Sequence, residues 1–67
     1  MARYAIIKNI NGIDTAVNVI EWDGVAEILF VDKDGNVLDP NEIEVVQDDL
    51  ASVDDVRING VWFRKLQ

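Results

Sequence analysis

The chain has 67 residues and a formal net charge of −7, from 13 acidic and 6 basic side chains, with neither cysteine nor histidine. That length fits a single domain, 1–67, and a chain so short buries only about 60% of its unfolded surface, so assembly or unusually good packing must supply the stability that disulfides cannot. Thiolate metal sites and the commonest general base near neutral pH are excluded, and the acidic excess disfavours nucleic-acid phosphates as partners.

Hydrophobic residues make up 49% of the chain, so a globular core is expected. No apolar run approaches the ~20 residues of a membrane span, and the apolar stretch of "MARYAII" is too short for a secretory signal. We therefore expect synthesis in the cytoplasm and no membrane partner. The absence of cysteine fits a reducing compartment.

In chain order the pattern is β-rich. "RYAIIK" (3–8) is a strand, and Asn11-Gly12 is a hairpin turn, because both residues tolerate positive φ. "TAVNVIEW" (15–22) places Val17, Val19 and Glu21 on one face and Ala16, Asn18, Ile20 and Trp22 on the other. Asp23-Gly24 turns the chain. "VAEILFV" (25–31) is apolar on both faces apart from Glu27, the profile of a central strand buried on two sides or of a barrel strand. "DKDGN" (32–36) is the next turn, and "VL" (37–38) a short strand that stops at Asp39-Pro40. "EIEVV" (42–46) alternates, with Ile43 and Val45 inward and Glu42 and Glu44 outward. "QDDLASVDD" (47–55) alone leans helical, with Asp48 or Asp49 as cap, so at most one short helical turn is expected near 47–53. "VRINGVWFRK" (56–65) reads as a hairpin about Asn59-Gly60, whose second arm puts Val61 and Phe63 on one face and Trp62 and Arg64 on the other. Short strands at this spacing predict an all-β domain: a small antiparallel barrel, SH3-like, or a small sandwich.

The chemistry-bearing stretches point away from catalysis. "VDKDGNV" (31–37) resembles half a calcium loop, but counting from Asp32 the sixth and twelfth positions hold Val37 and Ile43 where Gly and Glu are required. The carboxylate pairs Asp48/Asp49, Asp54/Asp55 and Glu42/Glu44 sit in polar contexts that would not raise a pKa. Each of the four glycines follows Asn or Asp, a turn signature and not a phosphate loop. No cofactor, metal or catalytic residue is therefore expected. Trp22, in phase with Ile20, is expected to anchor the core and close one end of the sheet. Trp62 is either a second core contact or a partner contact, since Trp and Arg dominate binding hot spots. The basic residues Arg3, Lys8, Arg57, Arg64 and Lys65 cluster toward the two termini. If the terminal strands are neighbours, these residues make one positive edge on a negative body, suited to contact with a charged protein surface. The candidate partner-binding residues are accordingly Trp62, Arg64, Lys65, Arg57 and Arg3.

Residues 4–24, "YAIIKNINGIDTAVNVIEWDG", resemble a segment of small tailed-bacteriophage proteins: Tyr4-Ala5-Ile6, an Asn/Gly turn, a β-branched run, then Asn18-Val19-Ile20, Trp22, Asp23 and Gly24. The proline-rich stretch that often follows in that family is absent here, and "NGVWFRK" (59–65) matches its closing hairpin loosely. The resemblance implies a non-enzymatic virion component. The leading expectation is a capsid decoration or cement protein, multi-copy or oligomeric, with phage capsid or tail proteins as partners. A head–tail connector or tail accessory protein is the near alternative. Two readings of other classes are a small acidic inhibitor that mimics DNA charge through Asp48, Asp49, Asp54 and Asp55, and a generic host β-barrel adaptor.

Overall fold

The computed structural model of the chain describes residues 1–64. Among them are five strands, β1 (Ala2–Ile10), β2 (Ile13–Trp22), β3 (Ile43–Gln47), β4 (Val56–Ile58) and β5 (Val61–Phe63), and one 3₁₀ turn, Pro40–Glu42. They form a single antiparallel sheet in the order β3-β1-β2-β4-β5. The fold is all-β, as its turn spacing and alternation indicate. The sheet stays open, with β3 and β5 at its edges, and does not close into a barrel.

Both Asn-Gly pairs make the turns that their chemistry dictates. Asn11 and Gly12 (φ 53° and 84°) join β1 to β2, and Asn59 and Gly60 (φ 52° and 78°) join β4 to β5. Positive φ at both central residues gives the twist of a two-residue hairpin. Asp23-Gly24 also turns, with the Asp23 carboxylate accepting the Val25 and Ala26 amides at 2.8 and 2.9 Å.

The β1–β2 ladder is interrupted once. Ile6 pairs with Asn18 but Ile7 with Ala16, so Val17 bulges. A bulge reverses side-chain phase along the strand. Ala16 therefore shares a face with Val19 and Glu21, and strict alternation from Ala16 to Trp22 is broken. On this first face Ala5 and Ile7 are buried together with Ala51, with Val46 and Trp62 packed against them. The chain from 48 to 55 covers it, tied by backbone bonds between Ala16 and Asp54 and between Ala16 and Asp55, both 2.8 Å.

On the second face lie Tyr4, Ile6, Ile20 and Trp22, by the same register. Trp22 meets Tyr4 at 5.2 Å and Phe30 at 5.5 Å, both edge-on, the geometry that ring quadrupoles favour. Its indole N–H donates to the Ala26 carbonyl at 2.9 Å. Trp22 thus anchors one end of the sheet by holding the following loop down. The bulge has a use here: the Lys33 amide donates to the Val17 carbonyl at 2.9 Å, and Asn18 Nδ2 donates to the Val31 carbonyl at 2.9 Å. The 30–38 turn is thereby pinned across β2.

Two expectations are corrected, and two points left open by the sequence are decided. Residues 25–31 are not a central strand: only Val31 makes a bridge, to Val37, while Val25 and Leu29 are 84% and 75% exposed. Apolar content marks strand propensity, but β1 is flanked by β3 and β2, so no inner position is left. The helical turn is at Pro40–Glu42, where Asp39 caps Asn41 and proline occupies the first turn, and not near 47–53, where the Asp48 side chain takes the amides of Leu50 and Ala51 into a tight turn instead. The terminal strands are not neighbours, since β2 and β4 separate β1 from β5. Finally, the closing hairpin keeps the expected split of Val61 and Phe63 from Trp62, and of the two readings left open for Trp62 it takes the core contact: Trp62 faces the first core, and Val61 and Phe63 face outward at 54% and 51% exposure.

Candidate functional site

The residues singled out from sequence are mostly engaged inside the fold. Arg57 pairs across β2 with Asp14, and its guanidinium reaches Asp14 at 3.1 Å and Glu44 at 2.6 Å while lying 5.9 Å from the centre of the Trp62 ring. The Glu44 hydrogen bond, ahead of that to Asp14, holds Arg57 above the ordinary arginine value. Arg57 is thus a clasp that ties β3, β2 and β5 together over one face. Arg3 donates to the Ala51 carbonyl at 2.7 Å, fastening the 48–55 cover. Trp62 donates from Nε1 to Asp48 at 2.8 Å. Arg64 is largely exposed, 3.8 Å from the buried Asp55 carboxylate. Lys65 lies outside the described residues. Among the described residues no continuous positive edge forms, because Arg3, Arg57 and Arg64 each meet a carboxylate or carbonyl of their own chain.

The carboxylates are similarly committed. Asp32 accepts the amides of Asp34 and Asn36 at 2.9 and 3.0 Å, which is a hairpin turn, and the Asn36 backbone bond holds it below the usual carboxylate range. Asp23 is lowered by the Ala26 amide first and Asp14 by the Asn9 side chain first. Lys33 is raised by its hydrogen bond to Asp54. Among the described residues no group of three or more His, Cys, Asp or Glu could hold a metal ion, and no helix is long and apolar enough to cross a membrane.

Among the described residues, what stands open is the far end of the second sheet face. The 23–38 segment covers its Tyr4–Trp22 end and leaves the far end bare. Ile10, Ile13, Ile58, Val61 and Phe63 all lie there, each between 43% and 54% exposed. A monomer seldom leaves so many large apolar side chains contiguous without a partner for them. Reading for hot-spot residue types misses this set. Its signal is nonetheless in the chain: each Asn-Gly turn is bracketed by aliphatics, Ile10/Ile13 and Ile58/Val61. Residues bracketing a two-residue hairpin are direct cross-strand partners, so each pair shares a face, and the β2–β4 register brings the two pairs to the same one.

Comparison with family models, curated proteins and solved structures found no match to this chain.

Proposed function

We propose that the chain is a non-enzymatic docking domain, a structural component of a tailed-phage particle, and specifically a decoration or cement protein that binds capsid subunits. One observation carries the docking reading: the bare apolar end of the second sheet face, where Ile10, Ile13, Ile58, Val61 and Phe63 remain half exposed. The phage setting rests on the resemblance of residues 4–24, and a neck or tail position fits that resemblance nearly as well.

The contact surface in this reading is the apolar face together with the open edges of β3 and β5, which offer backbone groups for strand addition. Trp62, Arg57 and Arg3 serve it indirectly by holding the hairpin and the 48–55 cover in place. A marginal core suits a multi-copy part, since a partner that binds only the folded state stabilises it by mass action. Catalysis is not part of the proposal: of the carboxylates paired in the sequence, Asp48 and Asp55 accept amides of their own turns, Asp54 holds Lys33 and Glu44 holds Arg57.

Quantitative mass spectrometry of purified particles tests the reading. Many copies per particle are expected. Absence from particles, together with capture of a host nuclease or polymerase, would replace it with the acidic-inhibitor reading.

A further inference from the structure

The bare face ends in a groove whose lining differs in kind from its floor. Ile10, Ile13, Val17 and Val56, with Thr15 among them, line a depression of about 410 Å³ together with residues 32–34 of the following turn. Three carboxylates, Asp32, Asp34 and Asp54, line it against the single ammonium of Lys33. That ammonium is bonded to both Asp54 oxygens, at 3.0 and 2.8 Å. The rim is therefore net negative while the floor is aliphatic.

We infer that this groove seats a cationic apolar segment of a partner protein, with aliphatic or aromatic side chains on the floor and Lys or Arg at the Asp32–Asp34 rim. This rests on the docking reading above and specifies the chemistry of the partner. The charge distribution selects the occupant. A second copy would bring the same acidic rim and another −7 of net charge against this one, and like charges brought together at an interface cost affinity. An anionic membrane surface or a nucleic acid meets the same repulsion. A basic segment neutralises the rim as its apolar side chains leave water. The floor, four aliphatic side chains wide, suits a few anchoring residues and not a large flat interface.

The experiment is a titration of the ¹⁵N-labelled full chain with a short capped peptide alternating lysine and leucine, followed by amide chemical shifts. Saturable shifts are expected at Ile13, Val17, Lys33 and Val56, and binding should weaken as salt is raised. A glutamate–leucine peptide tests charge and a lysine–serine peptide tests the apolar anchor; each should bind at least about tenfold more weakly. Asp34→Asn, on an exposed turn, should weaken the lysine–leucine peptide by about two- to fivefold. Ile13→Thr, which keeps a β-branched residue in the strand, should do so by about fivefold. An unchanged amide spectrum outside the groove confirms that each variant is folded. Equal binding of the glutamate–leucine peptide, shifts that map elsewhere, or concentration-dependent shifts of the same amides as the chain dimerises in sedimentation would overturn the inference. None of these outcomes bears on whether the protein is found in particles, so the two readings fail separately.

Discussion

Asp48 holds three donors at once: the amides of Leu50 and Ala51 at 2.7 and 3.0 Å and the Trp62 indole at 2.8 Å. The Leu50 amide is the chief reason its carboxyl sits below the ordinary value, with the Ala51 amide, Trp62 and the Arg3 charge adding to it against partial desolvation. The sign follows directly. A carboxyl with a lower pKa in the folded state stabilises the fold above its unfolded value, about 3.9, and that contribution is lost as pH falls through the folded value. Asp14, Asp23 and Asp32 are lowered too, so the acid limb of stability lies below about pH 4. Thermal melts at pH 7 and pH 3 should show a smaller acid-induced loss for Asp48→Asn than for the parent; equal losses would mean that Asp48 is not a principal source. Trp22 poses a different residue-scale test. It combines two aromatic contacts with one hydrogen bond, and Trp22→Ala should cost about 3 kcal/mol. Trp22→Phe keeps most of the ring contact and loses the bond to the Ala26 carbonyl, so about 1 kcal/mol is expected. Denaturant midpoints measure both, and a Trp22→Ala chain that unfolds with the parent would remove the anchor assignment.

At the scale of elements, the bulge at Val17 decides more than a register. It turns the Val17 carbonyl toward the Lys33 amide and sets Asn18 to reach the Val31 carbonyl, so an irregular segment is moored to a regular one. Asn18→Ala should therefore loosen the 30–38 turn without melting the sheet. Hydrogen exchange should quicken at the amides of Lys33 and Leu38, which donate to Val17 and Phe30, while β1 amides keep their protection. Uniform quickening would mean that the turn and the sheet open together. These elements also show what could be read from sequence. The Asn-Gly and Asp-Gly turns were legible because their cause is local: a residue able to take positive φ at the right place. Strand β1 was legible because its apolar run is bounded by such a turn. The segment 25–31 was not, because strand propensity says nothing about whether a neighbouring position in the sheet is vacant. The phase of the closing hairpin was hidden for a related reason. Val61, Trp62 and Phe63 are all apolar, so alternation carries no information, and the choice was made by Arg57 meeting Asp14 and Glu44 far away in the chain. The candidate site shared that fate: its aliphatics were visible, but their common face followed only from the ladder.

For the whole molecule the decisive quantity is how little is buried against how much charge is carried. Among the described residues the fully buried apolar ones are Ala5, Ile6, Ile7, Ala16 and Ala51, and three alanines contribute little transfer free energy compared with larger side chains. Against this small core stands a net charge of −7 whose self-repulsion favours expansion. Salt should therefore stabilise the isolated chain. Raising sodium chloride from low concentration to about 0.5 M shortens the screening length from tens of ångströms to about 4 Å. That weakens exposed attractive pairs such as Lys33–Asp54 and Lys8–Glu42, but solvent-exposed pairs contribute little to stability, whereas the repulsion acts among all the excess carboxylates. The midpoint of thermal unfolding should rise by roughly 4–8 °C if the net gain is about 1 kcal/mol. Sucrose, which favours compact states without screening charge, separates the two effects: a rise in sucrose but a fall in salt would show that the local ion pairs outweigh the global repulsion. A rise in salt would mean that any cationic surface bound to this chain stabilises the fold by the same neutralisation, in addition to the apolar area it covers.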